Sequence, residues 1–171
     1  WGLRGKYPYG RCVSALFSGP PGTGKTMAAQ VLAGRLGLEL YKIDLSQVVD
    51  KYIGETEKRL RQVFDQAEKS NMILFFDEAD ALLGKRSEVK EAKDKYANTE
   101  VAYLLQRMEE YTGIVLMATN LMNNIDSAFV RRFRYHVAFT LPGGELRLQL
   151  WHDALPQTVP HLDADFSFLD R

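Results

Sequence analysis

The octapeptide Gly19-Pro20-Pro21-Gly22-Thr23-Gly24-Lys25-Thr26 constrains this chain more than any other stretch. It fits the pattern G-x-x-x-x-G-K-[ST]. An apolar run, Val13 to Phe17, precedes it, and a run of good helix formers, Met27 to Leu36, follows it and stops at Gly37. Strand, glycine loop and helix in that order make a seat for phosphate. The glycines let backbone N–H groups turn inward with no Cβ in the way. The helix N-terminus adds partial positive charge at the same point. Lys25 supplies a full charge, and Thr26 supplies a hydroxyl suited to Mg²⁺. A plain Gly-Pro turn leaves Lys25-Thr26 at the helix start unexplained. Pro21, Gly22, Thr23, Gly24, Lys25, Thr26 and Met27 are therefore the residues expected to bind nucleotide.

The remainder of the chain alternates in the way such a loop requires. Further strand-like runs are Glu39–Ile43, Met72–Phe76, Ile114–Ala118 and Val137–Leu141. Between them, Leu60, Val63, Phe64 and Ala67 recur at helical spacing, as do Val101, Leu104, Leu105 and Met108. Strands alternating with helices argue for an α/β fold, a mostly parallel sheet covered on both faces. The charge-rich stretch from Gly84 to Asn98 reads as a solvated loop or helix end. A turn at Pro142-Gly143-Gly144 marks a change of composition, so residues 1–142 are read as one α/β unit. Residues 143–171 are read as the start of a second, helical unit that is not completed.

Composition narrows the partners. Lys+Arg and Asp+Glu number 22 each, which gives no support to a general nucleic-acid or membrane-surface binder. Cys12 is the single cysteine, so no intrachain disulfide exists and a reducing, cytoplasmic setting is the default. No run is apolar enough to suggest membrane insertion. The first residues carry no signal-peptide core, and the segment is expected to be the middle of a longer protein.

Two strand ends carry acids and an amide. Ile73-Leu74-Phe75-Phe76 runs into Asp77-Glu78, and acids at the carboxyl end of a buried parallel strand lie where α/β sheets bind ligands. Asp77 is expected to hold hydrated Mg²⁺ together with Thr26, and Glu78 to polarise the water that attacks a γ-phosphate. Ile114–Ala118 leads into Thr119-Asn120, and Asn120 can orient that water without adding negative charge. Lys25, Glu78 and Asn120 are thus candidates for catalysis. Arg131 and Arg132 follow a short helical pattern in Asp126-Ser127-Ala128-Phe129-Val130. Such arginines are usually solubilising or salt-bridged. As arginine fingers they neutralise charge on a transferred phosphoryl group, either in their own subunit or in a neighbour's.

Taken together, GPPGTGKT, ILFFDEAD, ATN and DSAFVRRF resemble, in order and spacing, the motifs of the AAA ATPases across nearly the whole chain. The last is similar to a segment of the group containing katanin, spastin and the vacuolar sorting ATPases. The wording of residues 86–111 resembles bacterial members, including those encoded with contractile injection systems. The resemblance implies a P-loop NTPase with a five-stranded parallel sheet in the order 5-1-4-3-2 and a homo-hexameric ring. It also implies that Arg131 and Arg132 reach ATP bound by the next subunit. Lys51-Tyr52-Ile53-Gly54-Glu55 resembles the first pore loop of the family, where an aromatic–aliphatic pair grips a polypeptide. The alternative for Tyr52 and Ile53 is core packing. The second pore loop of the family falls in the Gly84–Asn98 stretch.

The leading expectation is thus a Mg²⁺-ATP hydrolase that remodels or threads a protein substrate, directly or through an adaptor. A nucleotide-gated scaffold with little hydrolysis is the first alternative, and the presence of Glu78, Asn120 and both arginines weighs against it. A nucleic-acid motor is the second, and zero net charge with Tyr52-Ile53 weighs against that. With its helical lid only begun and its fingers acting in trans, the isolated segment is expected to be monomeric and poorly active.

Overall fold

The computed structural model describes residues 12–48, 55–83, 92–125 and 127–154, the side chains of 55, 92–98 and 124 excepted. Within the unit that ends at Phe139, five strands form one sheet: β1 (Val13–Ser18), β2 (Leu40–Asp44), β3 (Ile73–Asp77), β4 (Ile114–Thr119) and β5 (Tyr135–Ala138). Every pairing is parallel. The order is β2-β3-β4-β1-β5, which is 5-1-4-3-2 read from the other edge. The helices are α1 (Lys25–Leu36), α2 (Leu45–Val48), α3 (Glu55–Ser70), α4 (Asp80–Leu83), α5 (Ala92–Glu110) and α6 (Ser127–Val130).

Period-two alternation in the central strands divides the core into two layers. Ala15 and Phe17 of β1, Ile73 and Phe75 of β3, and Leu116 and Ala118 of β4 cluster with Ala29 and Ala33 of α1. Leu16, Leu74, Phe76, Val115 and Met117 turn to the other face, where they meet Leu60, Phe64 and Ala67 of α3 and Val101, Leu104, Leu105 and Met108 of α5. The helical stripes read from the sequence are therefore the ones that cover this face, although Val63 is only partly buried. Phe64 anchors the layer, with ring centroids 5.8 Å from Phe76 and 5.7 Å from Tyr111. Each such fully buried side chain contributes about 1.5–3 kcal/mol. Strands buried on both faces have no polar alternation, which is why β3 and β4 appear in the sequence as unbroken apolar runs.

Several boundaries differ from the sequence reading. β2 and β3 each lie one residue further along than expected, so Asp77 is the last strand residue rather than the first of a turn. The first helix starts at Lys25 rather than Met27, because Gly24 adopts φ 91° and caps it. β5 is Tyr135–Ala138 rather than Val137–Leu141. Its register is imposed by β1, with Ala15 opposite Tyr135 and Ser18 opposite Ala138. β1 ends at Ser18, so the pairing ends at Ala138. All four β5 residues are exposed, so no apolar pattern marks the strand.

The second compact unit begins at Thr140. Its described part is a short approach and α7 (Gly144–Ala154). Tyr52 and Ile53, the first eight residues of the charged stretch and the chain beyond 154 lie outside the described residues.

Candidate active site at the carboxyl edge of the sheet

Because the sheet is parallel, β1, β3 and β4 all end at the same edge, Ser18 standing opposite Thr119. The loop from Gly19 to Gly24 leaves β1 there and enters α1. Gly19 is required for a packing reason. Its φ is 149°, and a Cβ in its place would stand 2.0 Å from the Phe139 carbonyl oxygen. Its N–H donates to the Thr119 carbonyl at 3.3 Å, and the neighbouring Ser18 carbonyl accepts from Phe139 N–H at 2.7 Å. The first glycine of the motif thus lets the loop pass close against the chain leaving β5.

Pro21, Gly22, Gly24, Lys25, Thr26 and Met27 line a hollow of about 360 Å³ with Asp77, Glu78 and Asn120. Three strand ends, separated by up to a hundred residues of sequence, supply one concavity. Thr23 belongs to the loop but not to this lining. Its hydroxyl turns back and donates to the Pro20 carbonyl at 2.8 Å. Arg131 and Arg132 do not line the hollow either. Arg132 Nη1 lies 2.9 Å from Glu109 Oε1 on α5, and both side chains are about half exposed.

Lys25 is 7% exposed. Its ammonium donates to the carbonyls of Gly19 and Pro20 at 2.7 and 2.8 Å. Burial pushes its pKa below the ordinary 10.5, against the opposing pull of Asp77 and Asp80. The orphan N–H groups of the first turn of α1 open on the same space.

Asp77 divides its two oxygens. Oδ1 accepts the N–H of Glu78 at 3.0 Å, while Oδ2 faces the Thr26 hydroxyl at 3.5 Å and the Lys42 ammonium at 2.9 Å. Glu78 sits at φ 54°, a left-handed conformation that costs a non-glycine residue about 1 kcal/mol. In that conformation its exposed side chain lines the hollow rather than continuing the strand direction.

Two contributors were not anticipated from sequence. Asp80 Oδ1 accepts from the Thr119 hydroxyl at 3.0 Å and from Asn120 N–H at 3.4 Å. The Thr119 oxygen in turn accepts Leu121 N–H at 3.1 Å, and Ala79 N–H donates to the Ala118 carbonyl at 2.9 Å. This stitch holds the ends of β3 and β4 together and sets Asn120 at the rim. Asp80 could have been suspected as a third acid three residues after Asp77. Lys42, in the middle of β2, carries no sequence signal. A cation, a hydroxyl, two carboxylates and an amide around one small hollow suit a polyphosphate and a water molecule attacking it.

Residues 15–141 match the family model described as the ATPase family associated with various cellular activities (AAA). An uncharacterized AAA family ATPase of Sinorhizobium fredii is 37% identical over 127 residues, which is 74% of this chain and 38% of that protein. A probable 26S proteasome regulatory subunit 10B of Caenorhabditis elegans is 32% identical over 158 residues, 88% of this chain and 39% of its own length. The crystal structure of the FIGL-1 AAA domain in complex with ADP superposes with a TM-score of 0.67 at 32% identity, covering 82% of this chain and 47% of that one. The chain therefore spans about two fifths of the length of the two curated relatives and just under half of the FIGL-1 chain. It belongs to the AAA family of ATPases.

Proposed function

We propose that this chain is the nucleotide-binding part of a Mg²⁺-dependent ATP hydrolase whose site is completed by a neighbouring copy in a hexameric ring. The observation that carries the reading is the lining of the hollow. Phosphate-binding backbone, Lys25, two acids and Asn120 surround one space, while both arginines stand outside it. Such a site is equipped on one side only.

The donor set fits a small hard cation. Thr26 and Asp77 bring oxygens to within 3.5 Å of each other, and among the described residues no three His, Cys, Asp or Glu side chains gather as a dedicated metal cage. Mg²⁺ favours that arrangement, with one or two protein oxygens and the other positions left to water and phosphate. Thr26 and Asp77 would hold it, and when bound it would neutralise charge on the β- and γ-phosphates. The residues of the chain do the rest. Lys25 exchanges the Gly19 and Pro20 carbonyls for phosphate oxygens. Glu78 accepts hydrogen bonding from the attacking water and polarises it, and Asn120 orients that water. Arg131 and Arg132 of the next subunit stabilise charge on the departing phosphoryl group.

The work is proposed to be the remodelling or threading of a protein. A relative named as a proteasome regulatory subunit supports a polypeptide substrate, as does the Tyr52-Ile53 pair, whose aromatic–aliphatic contact suits varied side chains. The test uses the full-length protein. Glu78→Gln should retain ATP binding and lose turnover by at least about a hundredfold. An unfolded polypeptide should raise wild-type turnover, and single-stranded DNA should not. Wild-type turnover in Glu78→Gln would remove the hydrolytic assignment, and stimulation by DNA alone would remove the protein substrate.

A further inference from the structure

Lys42 belongs to no motif, yet it touches the most exacting atom of the site. Its ammonium lies 2.9 Å from Asp77 Oδ2, the same oxygen that faces the Thr26 hydroxyl. The other carboxylate oxygen is already committed to Glu78 N–H. Lys42 therefore neutralises the one Asp77 oxygen that is turned toward the nucleotide hollow.

The pair is lopsided. Asp77 is 20% exposed, whereas Lys42 is 51% exposed and hangs on a flexible stem. Lys42 also lines a second hollow, of about 420 Å³, beside β2, and Asp44 stands in that wall. Asp44 lies in the same strand, two residues away, and pairs directly opposite Asp77 in the sheet register. The ammonium thus has space to withdraw into and a second carboxylate to withdraw to, one that accepts from Ser46 and Gln47 and keeps acceptor capacity on Oδ2. A partly exposed ion pair is weak, so it yields to a stronger cation. The repulsion between a divalent ion and an ammonium sharing one carboxylate oxygen is large even under solvent screening.

We propose that Lys42 is a built-in counter-ion for Asp77, displaced toward Asp44 when a divalent cation binds, and that it sets the cation concentration at which the site loads. This rests on the reading of Asp77 as the metal-holding acid. Lys42 keeps the carboxylate paired in the metal-free chain and opposes loading at low divalent cation. It acts through Asp77 and touches no reacting atom.

Mn²⁺ binding to the full-length protein with ADP present, read by electron paramagnetic resonance, tests this without turnover. Lys42→Met should lower the half-saturating Mn²⁺ concentration about three- to tenfold, from removal of one positive charge at screened distance. Lys42→Gln should do the same, and Lys42→Arg, which keeps the charge, should stay within about twofold of wild type. The gap between wild type and Lys42→Met should shrink as KCl is added. All three should still saturate with ADP in EDTA, with any loss of affinity in the Met and Gln variants no more than about threefold, which shows that the fold and the loop are intact. If the Met and Gln variants leave half-saturation unchanged or raise it, the inference is overturned. Asp77→Ala separates the two readings. If it binds Mn²⁺ as wild type does, the role of Asp77 falls and this inference with it. If it loses Mn²⁺ while Lys42→Met changes nothing, only the inference falls.

Discussion

Replacing Asp80 by alanine tests whether the stitch between β3 and β4 holds the site in shape. The side chain accepts two hydrogen bonds through one oxygen, from the Thr119 hydroxyl at 3.0 Å and from Asn120 N–H at 3.4 Å. Thr119 is 1% exposed, so its hydroxyl finds no replacement in bulk water. A hydrogen bond to a charged acceptor contributes about 1.5–3 kcal/mol, and a stranded buried donor costs about 1–3 kcal/mol. The longer bond adds little, and Asp80 itself is only half-buried, so the expected cost of Asp80→Ala is about 2–3 kcal/mol. Asp80→Asn keeps a carbonyl oxygen in place and should cost under about 1 kcal/mol. Urea unfolding reads both, as a shift of midpoint at constant slope. Because Asn120 is held through its backbone, turnover in Asp80→Ala should fall more than nucleotide affinity does. An alanine variant within about 0.5 kcal/mol of wild type would refute the reasoning. An asparagine variant as damaged as the alanine one would show that charge, not hydrogen-bond acceptance, is what matters.

Gly19→Ala should destabilise by about 2–4 kcal/mol and weaken nucleotide binding, since the new methyl meets the backbone carbonyl of Phe139, which cannot turn aside; thermal unfolding and nucleotide titration check it. Arg107→Lys should cost about 1 kcal/mol by urea unfolding. The guanidinium joins α5 to Asp65 on α3 at 2.9 Å, reaches Glu110 at 3.3 Å and stacks 5.5 Å over the Phe64 ring, a geometry an ammonium cannot reproduce. The Asp44 carboxyl is held below its ordinary 3.8, chiefly by the Ser46 hydroxyl and also by Ser46 N–H and the Gln47 amide. Its folded pKa is depressed, so its stabilising effect is present above about pH 3.8 and is lost as pH falls through the folded value. Comparing wild type with Asp44→Asn in unfolding experiments across that range should show the difference between them vanish in acid.

Much of this molecule is legible in short stretches. The strand–loop–helix around Gly19–Thr26 is local, and so are the unbroken apolar runs of β1, β3 and β4 and the helical stripes of α3 and α5. Each rests on backbone conformation and side-chain period, which neighbouring residues determine between themselves. For the same reason Lys25, Thr26, Asp77, Glu78 and Asn120 could be named together. Each ends or follows a strand, and parallel strands end at one edge.

What residues do across the sheet was not legible, because pairing register decides it. β5 lies two residues earlier than its composition suggests, since β1 ends at Ser18 and an exposed edge strand needs no apolar pattern. Thr23 turns into its own loop instead of lining the hollow. Arg132 meets Glu109, some twenty residues back along the chain, only because α5 packs beside the turn after α6. Asp80 finds Thr119 at a separation of 39 residues. Lys42 reaches Asp77 because β2 and β3 align Asp44 opposite Asp77. Motif residues state their chemistry in their own spacing. Charge partners such as Lys42 acquire theirs only when the sheet has assembled, because a Coulomb interaction depends on distance in space and not on order in the chain.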